Sequence, residues 1–349
     1  MTNNPIKKSE PFITIAIPVL NEEKFIYPLF KSLGFCNESF SLPWEYEIIF
    51  VDGGSTDRTS VMLTYLRSKI KFKVLDNTKK IQSAGINLAA ENSNPKSSIL
   101  VRIDAHAIYE PNFIENVVNS MLDKQAQSVV VPLVTRALKK QSDFAYAVQV
   151  AQLSKMGNGG ASHRTTEASG QWIDHGHHAA FDLSFYKSIG GYDDTFATNE
   201  DAEYDVRVHK AGGKIWFEPK ALAWYCPRED LKSLMKQYFK YGIGRANTTL
   251  KHSLKPKLRQ MFPVAAMIAN TLGLILSLFT KFFLLIPVSY LLICYIAAIY
   301  EMRNNKDDAR RFVSEKAAIA LITMHMSWAT GFCKTMINEY FKNLYKKSN

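Results

Sequence analysis

Three acidic clusters follow apolar runs of the sequence, where carboxylates could hold a metal ion and a diphosphate. They occupy residues 51–57 (Val-Asp-Gly-Gly-Ser-Thr-Asp), 102–106 (Arg-Ile-Asp-Ala-His) and 199–201 (Asn-Glu-Asp). A nucleoside diphosphate normally binds with a divalent cation, and such a hard cation takes oxygen ligands from carboxylates and phosphates. Open α/β sheets bind ligands at the carboxyl ends of their strands. The clusters therefore predict a nucleotide-diphosphate site.

The elements that would position these clusters alternate between strand and helix. Short apolar, often β-branched runs predict strands, and capped amphipathic segments predict helices. The predicted strands are residues 13–19, 46–51, 71–75, 98–103, 128–135, 179–183 and 214–218, and the predicted helices are 22–33, 58–68, 83–91, 112–124, 184–189 and 201–211. This alternation indicates an α/β fold with a mostly parallel sheet. Residues 157–170, rich in Gly, Ser, Thr and His, predict a mobile loop.

Charge and apolar content change together along the chain. The 349 residues are 47% hydrophobic and carry a formal net charge of +11. Residues 1–230 hold 25 basic and 27 acidic side chains, whereas residues 231–349 hold 18 and 5. The basic C-terminal part also contains three long uncharged stretches, at 261–280, 282–300 and 317–333. Basic and apolar segments together indicate a membrane rather than nucleic acid as the partner.

Cysteine usage and the N-terminus point to a cytoplasmic catalytic part. Cys36, Cys226, Cys294 and Cys333 form no CxxC pair, so no disulfide framework or zinc ribbon is indicated. The first ten residues are polar, so no cleavable signal peptide is expected. We expect a multi-pass protein of the bacterial cytoplasmic (inner) membrane with its catalytic domain in the cytoplasm.

The segment 228–260 is basic and has one apolar helix face, formed by Leu231, Leu234, Met235, Tyr238 and Phe239. We expect an interfacial helix on anionic lipid, the alternative being a helix packed on the protein. Basic residues flank the first two apolar stretches, which predicts a hairpin with both ends cytoplasmic. The third stretch has basic residues on both sides, so it is either re-entrant or interfacial, or the positive-inside rule fails there.

Four motifs together resemble the inverting family 2 glycosyltransferases, which have a GT-A fold. Residues 17–23 are similar to the family's opening motif and residues 51–57 to its second. Asp104-Ala105-His106 stands where the family has Asp-x-Asp, and residues 190–193 with 199–201 resemble its acceptor-side block. The Asp-Ala-His variant, the histidines at 175–178 and the basic membrane tail resemble more narrowly the membrane glucosyltransferases of succinoglycan-type exopolysaccharide synthesis.

This resemblance implies a role for each motif residue. The nucleotide-sugar contacts implied are Pro18, Val19, Asn21, Glu22, Asp52 and Asp104. Asp104 and His106 would hold a divalent metal, Mn²⁺ or Mg²⁺, and imidazole suits Mn²⁺ better than Mg²⁺. Asp52 could instead be a turn carboxylate, and His106 could merely pack or hydrogen-bond.

Asp201 is the expected catalytic base, because an inverting transfer needs one carboxylate to deprotonate the acceptor hydroxyl. Its alternative role is a helix N-terminal aspartate stabilised by the helix dipole. The expected acceptor or diphosphate contacts are Glu200, His177, Gln237, Lys240 and Tyr241, of which the last three resemble the family's Gln-x-x-Arg-Trp with Lys in place of Arg. The aromatic residues of that motif could equally be core packing. A zinc site at His175, His177 and His178 is disfavoured, because these histidines would point to both faces of a strand and no cysteine is near.

The predicted organisation is a GT-A domain at 1–227, an interface segment at 228–260 and a membrane domain at 261–349. The expected function is transfer of one sugar, glucose, from a UDP-sugar to a polyprenyl-diphosphate-linked oligosaccharide in exopolysaccharide biosynthesis. The partners are thus a UDP-sugar donor, a lipid-linked saccharide acceptor and membrane lipid, with no nucleic acid. Alternatives are a non-catalytic or differently specific nucleotide-sugar-binding membrane protein, a processive polysaccharide synthase and a metal hydrolase.

Overall fold

A computed structural model describes residues 11–37, 40–138, 141–158, 169–304 and 313–348, so residues 159–168 of the predicted mobile loop lie outside the described residues. The elements follow in chain order. They are β1 (Phe12–Val19), α1 (Ile26–Ser32), β2 (Tyr46–Asp52), α2 (Thr59–Leu66), β3 (Lys73–Asp76), α3 (Gln82–Glu91), β4 (Ser97–Arg102), β5 (Ala107–Tyr109), α4 (Phe113–Lys124), β6 (Ser128–Val131), β7 (Leu133–Thr135), α5 (Asp143–Leu153), α6 (Lys155–Asn158), β8 (Gln171–Trp172), β9 (His177–Asp182), α7 (Leu183–Ser188), α8 (Glu200–Lys210), β10 (Ile215–Phe217), β11 (Ala223–Tyr225), α9 (Leu231–Lys251), α10 (Leu258–Leu276), a 3₁₀ turn (Lys281–Leu284), α11 (Leu285–Asn304) and α12 (Val313–Ser348).

The chain divides into two units, of which the first comprises Met1–Val134 and Ser162–Tyr225. Its sheet has the order β3-β2-β1-β4-β9-β6-β10-β8. The strands β3, β2, β1 and β4 run parallel, whereas β9 lies antiparallel to both β4 and β6. The strand order reverses between β1 and β4, and open α/β sheets bind ligands at such a switch point.

The central strands are continuous apolar runs and do not alternate between apolar and polar residues. Apolar side chains therefore lie on both faces of this sheet, and both faces are covered. On one face, α1, α2 and α4 contribute residues such as Phe30, Leu63 and Val117. On the other face, α3, α7 and α8 contribute residues such as Ile86 and Tyr204. The first unit is therefore a three-layer α/β structure.

The predicted alternation of strands and helices is confirmed in the first unit, with three differences. The sheet is mixed, because β9 enters antiparallel between β4 and β6. The predicted strand 128–135 is two strands, β6 and β7, which belong to different sheets on either side of Pro132. Proline lacks the amide N–H that a continuous ladder needs. The second sheet, of order β5-β11-β7, was not predicted.

The second unit comprises Thr135–Ala161 and Cys226–Asn349. Here α9 and α12 approach so closely that a Cβ on Gly242 would lie 2.1 Å from the Trp328 carbonyl oxygen, and one on Gly331 would lie 2.2 Å from that of Phe239. Helix α5 shares buried clusters with α11 and α12. Residues 135–161 thus belong with the C-terminal helices, which differs from the contiguous 1–227 domain predicted from the sequence.

Two helical segments, Leu258–Leu276 and Lys281–Asn304, are long and apolar enough to cross a membrane by length and composition. Only 11% of the apolar window of each is buried in the structure. The third predicted stretch, 317–333, lies within α12, where it packs against α9 and α5. On α9, Leu234 and Tyr238 are buried in that packing, whereas Leu231 and Met235 are exposed. Leu234 and Tyr238 therefore agree with the alternative in which this helix packs on the protein.

Candidate active site

Two loops at the carboxyl ends of β1 and β2 are tied together through Asn21 and Asp52. Asn21 has a left-handed backbone (φ 58°), and its Oδ1 accepts from the Thr56 amide at 2.8 Å. Its own amide donates to Ser55 Oγ at 2.9 Å. The amide and hydroxyl of Ser55 in turn donate to Asp52 Oδ1 at 2.9 and 2.7 Å. One Asp52 oxygen therefore binds the amide and hydroxyl of Ser55 within the turn, as in the alternative role of a turn carboxylate.

Pro18 and Val19 end β1 and differ in burial. The Val19 side chain is 3% exposed within the core, and its carbonyl accepts from the Gly53 amide at 2.8 Å. Pro18 is half-buried and lies close to Gly85, where an added Cβ would be 3.3 Å from Pro18 Cβ. Val19 thus supports the loop from the core, while Pro18 borders α3. Nucleotide contact by these residues stays a prediction.

Arg102, the last residue of β4, joins the two acidic motifs that the sequence singled out. Its guanidinium is 3% exposed. Nε donates to Asp104 Oδ1 at 2.9 Å, and Nη1 donates to Asp201 Oδ1 at 2.7 Å. Nη1 also donates to the Tyr192 hydroxyl at 2.9 Å, and Nη2 lies 3.4 Å from Glu200 Oε1. The motif at 102–106 predicts no role for Arg102, although a charge at the end of a buried strand is a signal that could identify it.

Asp104 is almost fully buried and has one crowded and one open oxygen. Oδ1 accepts from Arg102 and from Gln82 Nε2, the latter at 2.5 Å. Oδ2 has longer contacts, 3.4 Å to Arg102 Nη2 and 3.5 Å to His177 Nε2. Burial opposes ionisation, but Arg102 and His177 lower the pKa of Asp104 below its ordinary value. Asp104 is therefore ionised at neutral pH, and the contacts of its Oδ2 are longer than those of its Oδ1.

Asp201 and Glu200, at the start of α8, have opposite pKa shifts. Burial opposes ionisation of Asp201, yet the Arg102 charge and a hydrogen bond with His177 hold its pKa well below the usual range. Burial and the neighbouring Asp201 charge raise the pKa of Glu200 to about 7, against the effect of Arg102. The Tyr192 hydroxyl also donates to Asp201 Oδ1 at 2.6 Å. Oδ2 of Asp201 is left facing His177 Nδ1 at 3.6 Å.

His177 lies between the carboxylates of Asp104 and Asp201. Its Nε2 is 3.5 Å from Asp104 and its Nδ1 is 3.6 Å from Asp201, with the side chain 13% exposed. The structure thus brings together Asp104, His177, Glu200 and Asp201, which were predicted separately from three stretches of sequence.

His106 and Glu22 form a second contact at the same edge of the sheet. His106 Nδ1 lies 3.0 Å from Glu22 Oε1, so the imidazole donates to this carboxylate. A neutral imidazole that donates from Nδ1 keeps its lone pair on Nε2, and metal-binding histidines are commonly oriented by a carboxylate in this way. Within the described part of the chain, no three His, Cys, Asp or Glu side chains are grouped to hold a metal.

The other two histidines of the 175–178 segment face a different carboxylate. His175 Nδ1 and His178 Nε2 lie 2.5 and 2.7 Å from the two oxygens of Asp205. His178 is fully buried, and its Nδ1 is 2.5 Å from Ser128 Oγ. His175 precedes β9, so the expected strand alternation, which grouped it with His177, does not apply. This network holds α8 against the sheet.

Gln237, Lys240 and Tyr241 belong to the second unit, on α9. Gln237 is buried and its Nε2 donates to the Tyr241 hydroxyl at 2.9 Å, whereas Lys240 is exposed. Tyr241 also lies edge-on to Tyr238, with ring centroids 5.4 Å apart. The predicted contacts of these three residues with acceptor or diphosphate remain predictions.

Comparisons with known proteins identify the family and the fold. Residues 14–189 match the model of "Glycosyl transferase family 2". The chain is 38% identical over 93% of its length to the succinoglycan biosynthesis protein ExoA of Rhizobium meliloti, covering 94% of that protein. It is 27% identical over 67% of its length to the dolichyl N-acetyl-α-D-glucosaminyl phosphate 3-β-D-2,3-diacetamido-2,3-dideoxy-β-D-glucuronosyltransferase of Methanococcus voltae, covering 73% of it. Among solved structures, the mannosyltransferase PcManGT of Pyrobaculum calidifontis, in complex with GDP-Man and Mn²⁺, is similar with a TM-score of 0.52 at 16% identity, covering 99% of this chain and 90% of that one.

Proposed function

Because the chain belongs to glycosyltransferase family 2, with a GT-A-like fold, we propose that it transfers glucose from UDP-glucose to a lipid-linked saccharide during exopolysaccharide biosynthesis. The acceptor is a polyprenyl-diphosphate-linked oligosaccharide, and the transfer inverts the anomeric carbon to give a β-linkage. Its relative ExoA is by name a succinoglycan biosynthesis protein. The M. voltae relative is by name a 3-β-glucuronosyltransferase of a dolichyl-linked glucosaminyl phosphate.

The convergence of Asp104 and Asp201 on Arg102 is the observation that carries this proposal. Asp104 follows β4 at the switch point of the sheet, where open α/β sheets bind ligands. Asp201 opens α8, and one guanidinium holds both carboxylates within 2.9 Å. A donor-side and an acceptor-side carboxylate thus meet in one place, as a direct sugar transfer requires.

In the proposed mechanism Asp201 is the base. Its Oδ1 is held by Arg102 and Tyr192, so Oδ2 is the atom that takes the proton of the acceptor hydroxyl. The hydroxyl oxygen then attacks the anomeric carbon from the side opposite to the UDP leaving group, which inverts the configuration. The low pKa of Asp201 keeps it ionised at neutral pH, and His177 lies beside the same oxygen, where it contacts acceptor or diphosphate.

A divalent cation fits the residues on the donor side. Among the described residues, the partners of Asp104 Oδ2 lie at 3.4 and 3.5 Å, and Glu22 orients the ring of His106. We propose that Asp104 and His106 hold Mn²⁺ or Mg²⁺, with the diphosphate supplying further oxygens. When bound, the cation neutralises charge on the departing diphosphate. The remaining donor contacts are assigned to Pro18, Asn21, Glu22 and Asp52, with Val19 supporting their loop.

We further propose that the segments Leu258–Leu276 and Lys281–Asn304 insert in the cytoplasmic membrane as a hairpin, with the catalytic unit on the cytoplasmic side. Their exposed apolar side chains and the basic residues flanking them support this orientation. On α9, Gln237, Lys240 and Tyr241 are assigned to the acceptor or its diphosphate.

The experiment that tests the function uses purified full-length protein in nanodiscs with UDP-glucose, Mn²⁺ and a bacterial lipid extract. UDP release and label entering lipid are measured for the wild type and for Asp201→Asn. The variant should lose about 10²- to 10⁴-fold in rate while still binding UDP. UDP release without lipid labelling, unaffected by Asp201→Asn, would indicate a hydrolase and overturn the proposal. UDP binding without turnover across a panel of donors would favour the binding-protein alternative.

A further inference from the structure

The Arg102 side chain has a partner for each of its five N–H groups. Nε and one N–H of Nη2 face the two oxygens of Asp104, at 2.9 and 3.4 Å. The two N–H groups of Nη1 serve Asp201 and Tyr192, at 2.7 and 2.9 Å, and Nη2 also lies 3.4 Å from Glu200. With 3% exposure and no donor left over, this guanidinium is not arranged to bind a phosphate. It acts on its own protein's carboxylates.

Burying a guanidinium costs free energy that only good pairing offsets. Here one cation faces the carboxylates of Asp104, Glu200 and Asp201, so the pairing is ample. Its planar, rigid fork also fixes where the partners lie relative to one another, which a lysine ammonium cannot do. The distance between the Asp104 and Asp201 carboxylates is thereby set by the protein before a ligand binds.

We propose that Arg102 is a positioning residue that holds the base Asp201 in register with the donor-side Asp104. This inference rests on the proposed function and deepens it. A base fixed relative to the donor site acts on a hydroxyl that is already aligned with the anomeric carbon, and such alignment accounts for a large part of enzymatic rate enhancement. Tyr192 completes the arrangement by donating to the same Asp201 oxygen that Arg102 binds.

A double-mutant cycle tests this role. Arg102→Gln, Asp201→Asn and the double variant are compared for kcat, for KM of donor and acceptor, and for thermal unfolding. Arg102→Gln should lower kcat by about 10²-fold, and should lower it less than about threefold further in the Asp201→Asn background, because residues that act as a unit are non-additive. Arg102→Lys should recover part of kcat, since it keeps the charge but loses the fork.

Two further variants distinguish a loss of kcat caused by misfolding from one caused by lost positioning. Tyr192→Phe removes only a hydroxyl, which donates to Asp201 and accepts from Arg102, and should lower kcat about tenfold with the fold retained. Arg207→Gln removes a guanidinium that is paired with Glu203 outside the site, at 2.6 Å. It should lower Tm without changing kcat, which separates structural loss from positioning.

Additive losses in the cycle, or an unchanged kcat in both Arg102→Gln and Tyr192→Phe, would overturn the inference and leave the proposed function intact. An inactive wild type with every donor would remove the proposed function, and the positioning role would fall with it. Non-additive losses with UDP binding retained would establish it.

Discussion

Glu22 and His106 come from loops that follow different strands, and they meet at 3.0 Å through Oε1 and Nδ1. The first loop follows β1 and the second follows β4, so the contact spans the switch point of the sheet. His106 stands where the family has the second aspartate of its Asp-x-Asp motif, and it lies edge-on to Tyr225 with ring centroids 5.8 Å apart. Glu22 therefore sets the orientation of the residue proposed to bind metal.

Removing the Glu22 carboxylate should weaken metal binding. We expect Glu22→Ala to lower the affinity for Mn²⁺ in the presence of UDP by about 10- to 100-fold, because the imidazole loses the partner that fixes its ring and raises its basicity. Titration calorimetry or Mn²⁺ electron paramagnetic resonance would measure this. Glu23→Ala is the matched control, since Glu23 accepts from the Arg58 amide and lies beside no proposed ligand. Equal affinities in the two variants would contradict the assignment.

Restoring a carboxylate at position 106 should change the preferred metal. Imidazole binds Mn²⁺ well and Mg²⁺ poorly, whereas a carboxylate serves both. The ratio of transfer rates with Mn²⁺ and Mg²⁺ should therefore fall in His106→Asp, by about tenfold if one ligand's preference governs it. The rates are measured after chelation and re-addition of each metal. An unchanged ratio would mean that His106 is not a ligand.

The pKa of Glu200 makes stability depend on pH. In the folded chain this pKa is raised from 4.5 to about 7 by burial and by Asp201. The raised pKa means that Glu200 stabilises the fold below about pH 4.5, and that this contribution is lost as the pH rises through about 7. We therefore expect the difference in Tm, Glu200→Gln minus wild type, to become more positive as the pH rises from 5 to 8.5. Differential scanning fluorimetry across this range would check it, and a difference that does not vary with pH would refute it.

Much of the first unit could be predicted because its signals are local. A buried β-branched run such as residues 13–19 indicates a strand by itself, and the motifs at the strand ends followed from the resemblance. The sequence therefore identifies Asp104 and Asp201, but not the Arg102 side chain that binds both of them. Arg102 has a local signal, because it is a charged residue within a predicted buried strand, but no neighbour in the sequence identifies its partners. Its role depends on Tyr192 and α8, which lie about ninety residues further on.

Helix α5 shows why the division into units could not be predicted. Nothing in residues 143–153 distinguishes a helix that covers a sheet from one that packs on other helices. Its partners, such as Val313 and Leu321, come more than 150 residues later in the chain. Likewise, Leu234 and Tyr238 give the helical periodicity expected of a lipid-facing side, and only tertiary packing shows that α12 covers them.

Asp205 should be essential for stability rather than for catalysis. It is buried and receives both His175 and His178, so Asp205→Asn leaves a buried imidazole without its counter-charge. We expect a loss of about 3–5 kcal/mol in the free energy of unfolding. Burial opposes protonation of His178, but Asp205 raises its pKa above 6.5, so this contribution is lost as the pH rises through that raised pKa. Burial likewise opposes ionisation of Asp205, whose pKa the two histidines lower below 3.8, so the contribution is also lost as the pH falls through it.

Denaturant unfolding of Asp205→Asn and the wild type between about pH 2.5 and pH 8.5 would measure both effects, since the acidic arm lies below pH 3.8. The exposed Glu91→Gln is the control and should change stability by less than about 0.5 kcal/mol. If Asp205→Asn kept wild-type stability but lost transfer activity, the histidines and Asp205 would belong to the catalytic machinery instead.

A chain ending after Pro227 should be insoluble, although the sequence suggests a self-contained domain there. Such a chain keeps α5 but lacks α11 and α12, against which Tyr146, Ala147 and Val150 are buried. Exposed apolar patches of this kind cause aggregation. We expect residues 1–227 to be recovered in the pellet without detergent, and polar substitutions at Val148 and Val150 to raise the soluble fraction several-fold. A soluble, monomeric 1–227 chain without these substitutions, measured by size-exclusion chromatography with light scattering, would contradict the assignment of α5 to the second unit.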